Sequence, residues 1–216
     1  MTYLNLMNSV LRRMREEEVT TVTASTYSKM VGDFINDAKK IVEETTDWSA
    51  LRETLTVSAT VSDGNTYSLV GTGDNAKVMS VINDTQNCFM EYQSKDWFND
   101  SLYIANATTG APKYYTYNGL DTNGDTQVLV SPTPDATYTL RFDVVKRQAD
   151  LTANSDSLLV PSTPVMHMAI ALLARERGET GGTSVQEYFQ IANKALSDAV
   201  AIDAAKHPEE MVFYTV

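Results

Sequence analysis

The chain has 216 residues, of which 43% are hydrophobic, so it can bury a sizeable core in one large domain or two small ones. Its formal net charge of −11 argues against a surface that neutralises nucleic-acid phosphates, because such surfaces need clustered Lys and Arg. The single cysteine, Cys88, excludes an intrachain disulfide, and no stretch approaches the roughly 20 apolar residues of a membrane-spanning helix.

The first part of the chain predicts two helices. Thr2 can cap a helix that runs to about Glu17, and Ser25 or Thr26 can cap a second helix after a linker or short strand at 19–24. The second helix has the most regular apolar stripe in the chain, at Tyr27, Met30, Val31, Phe34, Ile35, Ala38, Ile41 and Val42. We assign these helices, residues 1–50, to a helical domain.

The end of the first predicted helix carries a cluster of charge. Arg12, Arg13 and Arg15 precede three consecutive glutamates at 16–18. One interpretation is a solvated face with ion pairs three and four residues apart. The other is a recognition patch for a charged partner, and the pattern by itself leaves both open.

The middle of the chain, residues 51–150, predicts a β domain. Alternating residues at 55–61 and 66–70 flank an Asp-Gly turn, which predicts a hairpin. A second hairpin is predicted at 113–117 and 126–130. The remaining strand candidates are 77–82, 88–92, 101–104 and 137–145. Eight short strands at regular spacing indicate an antiparallel sandwich or barrel.

The last part of the chain predicts two more helices, residues 151–206, which complete the helical domain. Pro164 fits the first helical position behind Thr163, and Gly178 breaks that helix. Thr183 or Ser184, with Glu187, forms a capping-box pattern at the start of the final helix. The predicted fold class is therefore α+β: a bundle of N- and C-terminal helices with a central antiparallel β-sandwich or barrel-like domain.

The chain closes with a tail, residues 207–216. Five of its last six residues are apolar, among them Met211, Val212, Phe213 and Tyr214. Such side chains are an aggregation hazard when they are free in water. We expect the tail either to pack on its own domain or to dock on a neighbouring subunit.

No pattern in the sequence forms a convincing catalytic, metal or cofactor site. His167 has no Cys, Asp or Glu four residues away to share a metal, and neither His167 nor His207 neighbours a Ser or Cys in a nucleophile motif. No zinc or phosphate-loop motif occurs. The loop from Asp121 to Asp125 has oxygen spacing like the start of a calcium loop. It lacks Gly at position 6 and Glu at position 12, so a hairpin turn is the better interpretation. We expect no enzyme activity and no cofactor; a hydrolase with an unrecognised carboxylate pair is the least favoured alternative.

Aromatic side chains crowd one part of the β block, and Trp97, Phe98, Tyr114 and Tyr115 are the candidates for a partner contact. Tyr and Trp are enriched in interface cores, yet the same residues can form the core of a sandwich. The cluster also supports an alternative function, a carbohydrate- or peptide-binding β-sandwich module.

Several segments together resemble phage head–tail adaptors of the tail tubular protein A kind, found in short-tailed phages. They are the helix from Tyr3 to Glu16, the helix from Tyr27 to Lys39, the Asp47–Arg52 segment that follows it, the Pro112–Gly119 strand region, Tyr138–Phe142 and the acidic end His207–Glu210. The resemblance covers nearly the whole chain, and none of its motifs is catalytic.

The resemblance implies a homo-oligomeric ring of twelve subunits at the head–tail junction of a virion, assembled in the host cytoplasm. Its partners would be the portal protein and the tail nozzle protein. DNA would pass through the ring without sequence-specific binding, and no membrane would be involved.

Overall fold

A computed structural model of the chain describes residues 1–61, 64–105, 108–178 and 185–206. The α+β prediction is confirmed, with five α-helices and eight strands in these residues. The chain divides into two compact units. Met1–Leu51 and Gln148–Val216 form a helical unit, and Arg52–Arg147 form a β unit.

The helical unit is built around one central helix. Its helices are α1 (Tyr3–Arg13), α2 (Thr26–Glu43), α4 (Ser162–Arg177) and α5 (Val185–Ala204), with a short 3₁₀ helix at Ser49–Leu51. Helices α1, α2 and α5 each contact α4. Because α4 is covered from several sides, its sequence is apolar around much of its circumference and ten of its residues are buried.

Helix α1 is shorter than predicted, ending at Arg13 rather than near Glu17. Arg15 adopts a left-handed conformation with φ 59°. The Arg15 amide donates to the Arg12 carbonyl at 3.2 Å, and the Glu16 amide donates to the Leu11 carbonyl at 2.9 Å. These two bonds form a Schellman motif, which ends a helix by satisfying its last carbonyls.

Helix α2 begins as predicted at Ser25, but its buried face is rotated from the predicted stripe. Ser25 Oγ accepts from the Ser28 amide at 3.0 Å, and Ser28 Oγ accepts from the Ser25 amide at 2.9 Å, completing a capping box. Ile41, placed in the stripe, is 40% exposed. The buried residues are Ser28, Val31, Gly32, Ile35, Ala38, Lys39, Val42 and Glu43.

The boundaries of α4 also differ in part from the prediction. The helix starts at Ser162, so Pro164 lies third rather than first in it. Proline is tolerated there because the first-turn amides have no helical acceptor. The predicted break at Gly178 is confirmed by its left-handed φ of 62°. The predicted start of the final helix at Thr183 or Ser184 lies outside the described residues.

Two four-stranded sheets form the β unit, with orders β1-β8-β3-β4 and β2-β7-β6-β5. All pairings are antiparallel except β5 with β6, which is parallel. The strands are β1 (Arg52–Ala59), β2 (Thr66–Ser68), β3 (Lys77–Asn83), β4 (Cys88–Phe89), β5 (Glu91–Tyr92), β6 (Tyr114–Leu120), β7 (Thr126–Ser131) and β8 (Tyr138–Val145).

The second predicted hairpin is confirmed, but the first is wrong. Strands β6 and β7 pair directly. Strands β1 and β2 follow each other in the chain yet lie in different sheets, where they pair with β8 and β7. The predicted strand at 88–92 likewise splits between the sheets at the buried Met90. The predicted strand at 101–104 is wrong, because Asp100–Ile104 forms a π-helix after α3 (Lys95–Asn99).

The core of the β unit is one cluster of buried side chains drawn from both sheets, including Leu69, Leu140 and Phe142. The β2-β7-β6-β5 sheet is also covered on its other face, where Phe98 of α3 is fully buried. Leu129 and Thr116, which alternate with core residues on β7 and β6, are buried as well. This sheet therefore packs on both faces.

Candidate partner-binding surfaces

The arginine cluster at the end of α1 is partly engaged within the chain. Arg12 pairs with Glu18 at 2.7 Å, with both side chains about half exposed. Arg13 donates to the Ser9 carbonyl at 3.2 Å and to Met166 Sδ at 2.8 Å. Arg15 is exposed, and no residue that the structure describes pairs with its side chain. Exposed pairs of this kind contribute about 0–1 kcal/mol each, so the cluster remains accessible to a charged partner.

The four aromatic candidates separate into buried and accessible residues. Phe98 and Tyr115 are 0% and 8% exposed, so neither offers a free surface. Trp97 and Tyr114 are half-buried, with ring centroids 4.9 Å apart on the outer side of the sheet. The contact between these tilted rings adds to the cover that α3 provides, and it leaves part of both rings open to a partner.

A second aromatic pair lies at the free edge of β5. Tyr92 and Tyr117 are 57% and 38% exposed, with ring centroids 6.2 Å apart. Tyr117 Oη accepts from the Val78 amide at 3.1 Å, so a residue of one sheet bonds to a strand of the other. The two tyrosines are 25 positions apart in the sequence, and only the pairing of β5 with β6 makes them neighbours.

The remaining candidates, Met211, Val212, Phe213 and Tyr214, lie outside the described residues. Their part in partner contact therefore stays a prediction.

The sequence did not lead us to predict that a lysine of α2 is buried. Lys39 is 0% exposed, and its Nζ donates to the carbonyls of Gln148 at 2.5 Å and Ala149 at 3.1 Å. Glu43 Oε1 lies 3.6 Å away. Burial lowers the pKa of Lys39, and the nearby Glu43 and Asp150 carboxylates oppose that shift. Lys39 follows Ala38, a residue of the predicted apolar stripe, and Glu43 lies four residues after Lys39. This is the spacing at which a lysine and a glutamate meet on one face of a helix, so it could have revealed the Lys39–Glu43 pair.

A buried aspartate fixes the end of α5 to the 3₁₀ helix. Asp203 accepts from the Ser49 amide at 2.8 Å, from Ser49 Oγ at 2.6 Å and from Lys206 Nζ at 2.8 Å. Burial raises the pKa of Asp203, but the hydrogen bonds from Lys206 and Ser49 outweigh it, so the net pKa is lowered. The carboxylate is thereby held ionised as a structural acceptor.

Helix α5 carries apolar surface that the described chain leaves uncovered. Ile191 and Ile202 are 47% and 68% exposed, and they lie on one side of the helix because they are three turns apart. Beside Ile202 is a pocket of about 350 Å³, bounded by the C-terminal end of α5 and the first turn of α4.

The described residues carry little that could perform chemistry. Burial, with the charge of Arg13 adding to it, lowers the pKa of His167, which favours its neutral form. Within the described ranges no three His, Cys, Asp or Glu side chains come together as metal ligands. Asp121 Oδ1 accepts from the Asn123 and Asp125 amides at 2.8 and 2.9 Å, so its loop is the predicted hairpin turn. None of the described helices has the length and apolarity of a membrane span.

The sequence profile of the SU10 adaptor protein family matches residues 1–211. No curated protein matches the chain. The match supports a phage adaptor and points to a structural, non-enzymatic role, without supporting the narrower tail tubular protein A subtype. By this match over nearly its whole length, the chain belongs to the SU10 adaptor protein family, whose members are structural components of phage virions.

Proposed function

We propose that this protein is a head-to-tail connector that joins the portal to the tail nozzle, as a ring of about twelve copies lining the DNA channel. The observation that carries the proposal is the adaptor-family match over residues 1–211. The number of copies and the two named partners come from the resemblance to head–tail adaptors. The proposed location is the head–tail junction.

The net charge of the chain agrees with a channel through which DNA passes without being bound tightly. A net charge of −11 repels phosphates, and a channel wall that repels DNA lets it slide. A protein that binds DNA tightly would instead need Lys and Arg side chains clustered against the phosphates.

The exposed apolar and charged side chains supply the proposed contacts with other subunits. Ile191 and Ile202 on α5, Trp97 on α3 and Arg15 after α1 are accessible in the single chain. Apolar patches exposed in one subunit mark association surfaces when they are covered in the assembly. We also assign the tail, 209–216, to partner contact in the assembled virion.

The test is the mass of the purified protein, alone and mixed with the portal of the same phage, by native mass spectrometry. Ring-sized species, either alone or only with portal, support a connector. A protein that stays monomeric and does not bind portal contradicts the proposal.

Two variants and one control sharpen that test. Removal of residues 209–216 and the substitution Arg15→Glu should each weaken assembly with portal while the subunit still folds, as its circular dichroism spectrum would show. Lys29→Glu makes the same charge change at an exposed position of α2 and serves as the control. Normal docking by both variants would contradict the assigned contacts.

The alternative is a carbohydrate- or peptide-binding module that uses the half-buried Trp97 and Tyr114. Titration against a glycan panel distinguishes it. Binding that Trp97→Ala abolishes would support the module, whereas flat titrations would eliminate it.

A further inference from the structure

The surface of the pocket beside α5 is mainly apolar, although Thr163, Asp198, Asp203 and Lys206 also line it, so it can receive apolar side chains. Its apolar boundary comes from Pro161 and Pro164 near the start of α4 and from Ala195, Ala199 and Ile202 of α5. The small alanines leave the space open, and its volume of about 350 Å³ suits a few side chains rather than a folded domain.

The residues that follow this pocket in the sequence include an apolar segment. Lys206, the last described residue, lines the pocket. Pro208 follows two residues later and disfavours continuation of the helix. The four residues 207–210 can span at most about 14 Å, which is enough for residues 211–214 to return to a pocket that begins at Lys206.

We propose that in the free subunit Met211–Tyr214 fold back and place apolar side chains in the pocket formed by α5 and the start of α4 of the same chain. The short tether keeps the effective concentration of the segment in the millimolar range, which favours its own pocket over that of a second copy. Docking would also remove apolar side chains from water until a partner competes for them. This inference concerns the free subunit and does not depend on the ring or on the portal.

Disulfide trapping tests the docking directly. Cys88→Ser removes the native thiol, and Ala195→Cys with Phe213→Cys then provides one thiol in the pocket and one in the tail. Under mild oxidation we expect a disulfide within one chain, in about tenfold higher yield than with Asn193→Cys in place of Ala195→Cys. Asn193 is exposed and lies on the opposite side of α5, since two residues turn a helix by about 200°. Met211→Cys replaces Phe213→Cys in a parallel series, so the result does not depend on one tail residue.

A charge in the pocket provides the second test. Ile202→Asp should lower the yield of the 195–213 disulfide several-fold, because Ile202 lines the pocket. Ile191→Asp introduces the same charge at an exposed isoleucine that does not line the pocket, and it should leave the yield unchanged. Both positions are exposed, so folding is preserved, which circular dichroism would verify.

Each outcome of these disulfide experiments has a distinct meaning for the proposed docking. Equal yields with the 193 and 195 thiols for both tail positions would overturn the inference. Disulfides that link two chains, recognised by dimer mass, would overturn it in favour of a second copy as the occupant. Assembly with portal is measured on the unmodified protein, so failure of the connector proposal leaves this result unaffected.

Discussion

At the scale of single residues, Gly32 permits α1 to pack close to α2. A Cβ built on Gly32 would lie 2.3 Å from Tyr3 Oη, which no real contact tolerates. Without that hydroxyl the nearest atoms would be Met7 Cε at 3.3 Å and Tyr3 Cζ at 3.4 Å. The phenol oxygen, rather than the ring, therefore imposes the need for glycine.

We expect Gly32→Ala to lower the free energy of unfolding by about 1–3 kcal/mol, the usual cost of an added methyl group in a packed site. In the background of Tyr3→Phe the same change should be close to neutral. Chemical denaturation of the four proteins gives the coupling energy. An equal loss from Gly32→Ala in both backgrounds would contradict this explanation.

Arg15 holds a left-handed conformation that suits glycine better. The left-handed conformation costs an ordinary residue about 1–2 kcal/mol, and glycine has no such penalty. Since no described partner holds the Arg15 side chain, Arg15→Gly should stabilise the protein by about 0.5–1 kcal/mol after the entropy of glycine is included. Arg12→Gly, inside α1, should instead destabilise by about 1 kcal/mol. Thermal unfolding of both variants provides the comparison.

His167 makes stability depend on pH in a defined direction. Its pKa in the folded protein is lowered below 6.5 by burial and by Arg13, so the unfolded chain binds the proton more readily. The free energy of unfolding should therefore fall as pH decreases below 6.5, and the stability due to His167 is present above that pH. His167→Gln should flatten the slope between pH 6.5 and 5. Arg13→Gln should raise the pKa of His167 in an NMR titration, whereas Arg13→Lys should not.

At the scale of elements, α3 acts as a cover for one sheet. Phe98 is 0% exposed, whereas its neighbour Trp97 is half-buried, with their ring centroids 5.3 Å apart. Adjacent aromatic residues thus have different roles, one in packing and one at the surface.

Phe98→Ala should cost about 3–5 kcal/mol, as a buried phenylalanine does when a cavity replaces it. Trp97→Ala should cost less, because the Trp97 ring is only partly buried. The urea midpoints of the two variants distinguish them. Similar losses would mean that Trp97 is part of the core, and they would disqualify it as a specific probe of binding.

At the scale of the whole molecule, the chain enters and leaves the β unit on neighbouring strands. Arg52 pairs with Val145 at the ends of β1 and β8, so the two connections to the helical unit are close together. The unit also has its own buried core between its sheets. A segment with adjacent ends and a separate core has the organisation of an inserted domain.

We therefore expect residues 52–147 to fold without the rest of the chain. The isolated segment should show dispersed amide NMR signals and a cooperative thermal transition. Phe142→Ala, which removes a fully buried core side chain, should abolish or sharply lower that transition. A segment that lacks dispersion at low temperature would show that the β unit depends on the helical unit.

Local sequence signals predicted the secondary-structure elements better than they predicted which strands pair with each other. The Ser25 cap and the turn at Asp121–Asp125 involve residues within five positions of each other, so their chemistry is visible in the sequence. The pairing of β1 with β8 joins residues 79 to 93 positions apart. The Asp-Gly turn after β1 could not reveal it, because a turn signal reports a change of direction and not which sheet receives the next strand.

The sequence by itself determined the α+β class, most of the helices and strands, and the acidic charge, because periodicity, caps and composition are properties of neighbouring residues. Only the tertiary structure decided which side chains are available to a partner. Phe98 and Trp97 look alike in the sequence, and Lys39 looks like a surface residue, yet packing buries Phe98 and Lys39 and leaves Trp97 partly exposed. The pocket beside α5 is likewise formed by residues at least 31 positions apart, near the start of α4 and along α5, and burial there depends on how the helices pack.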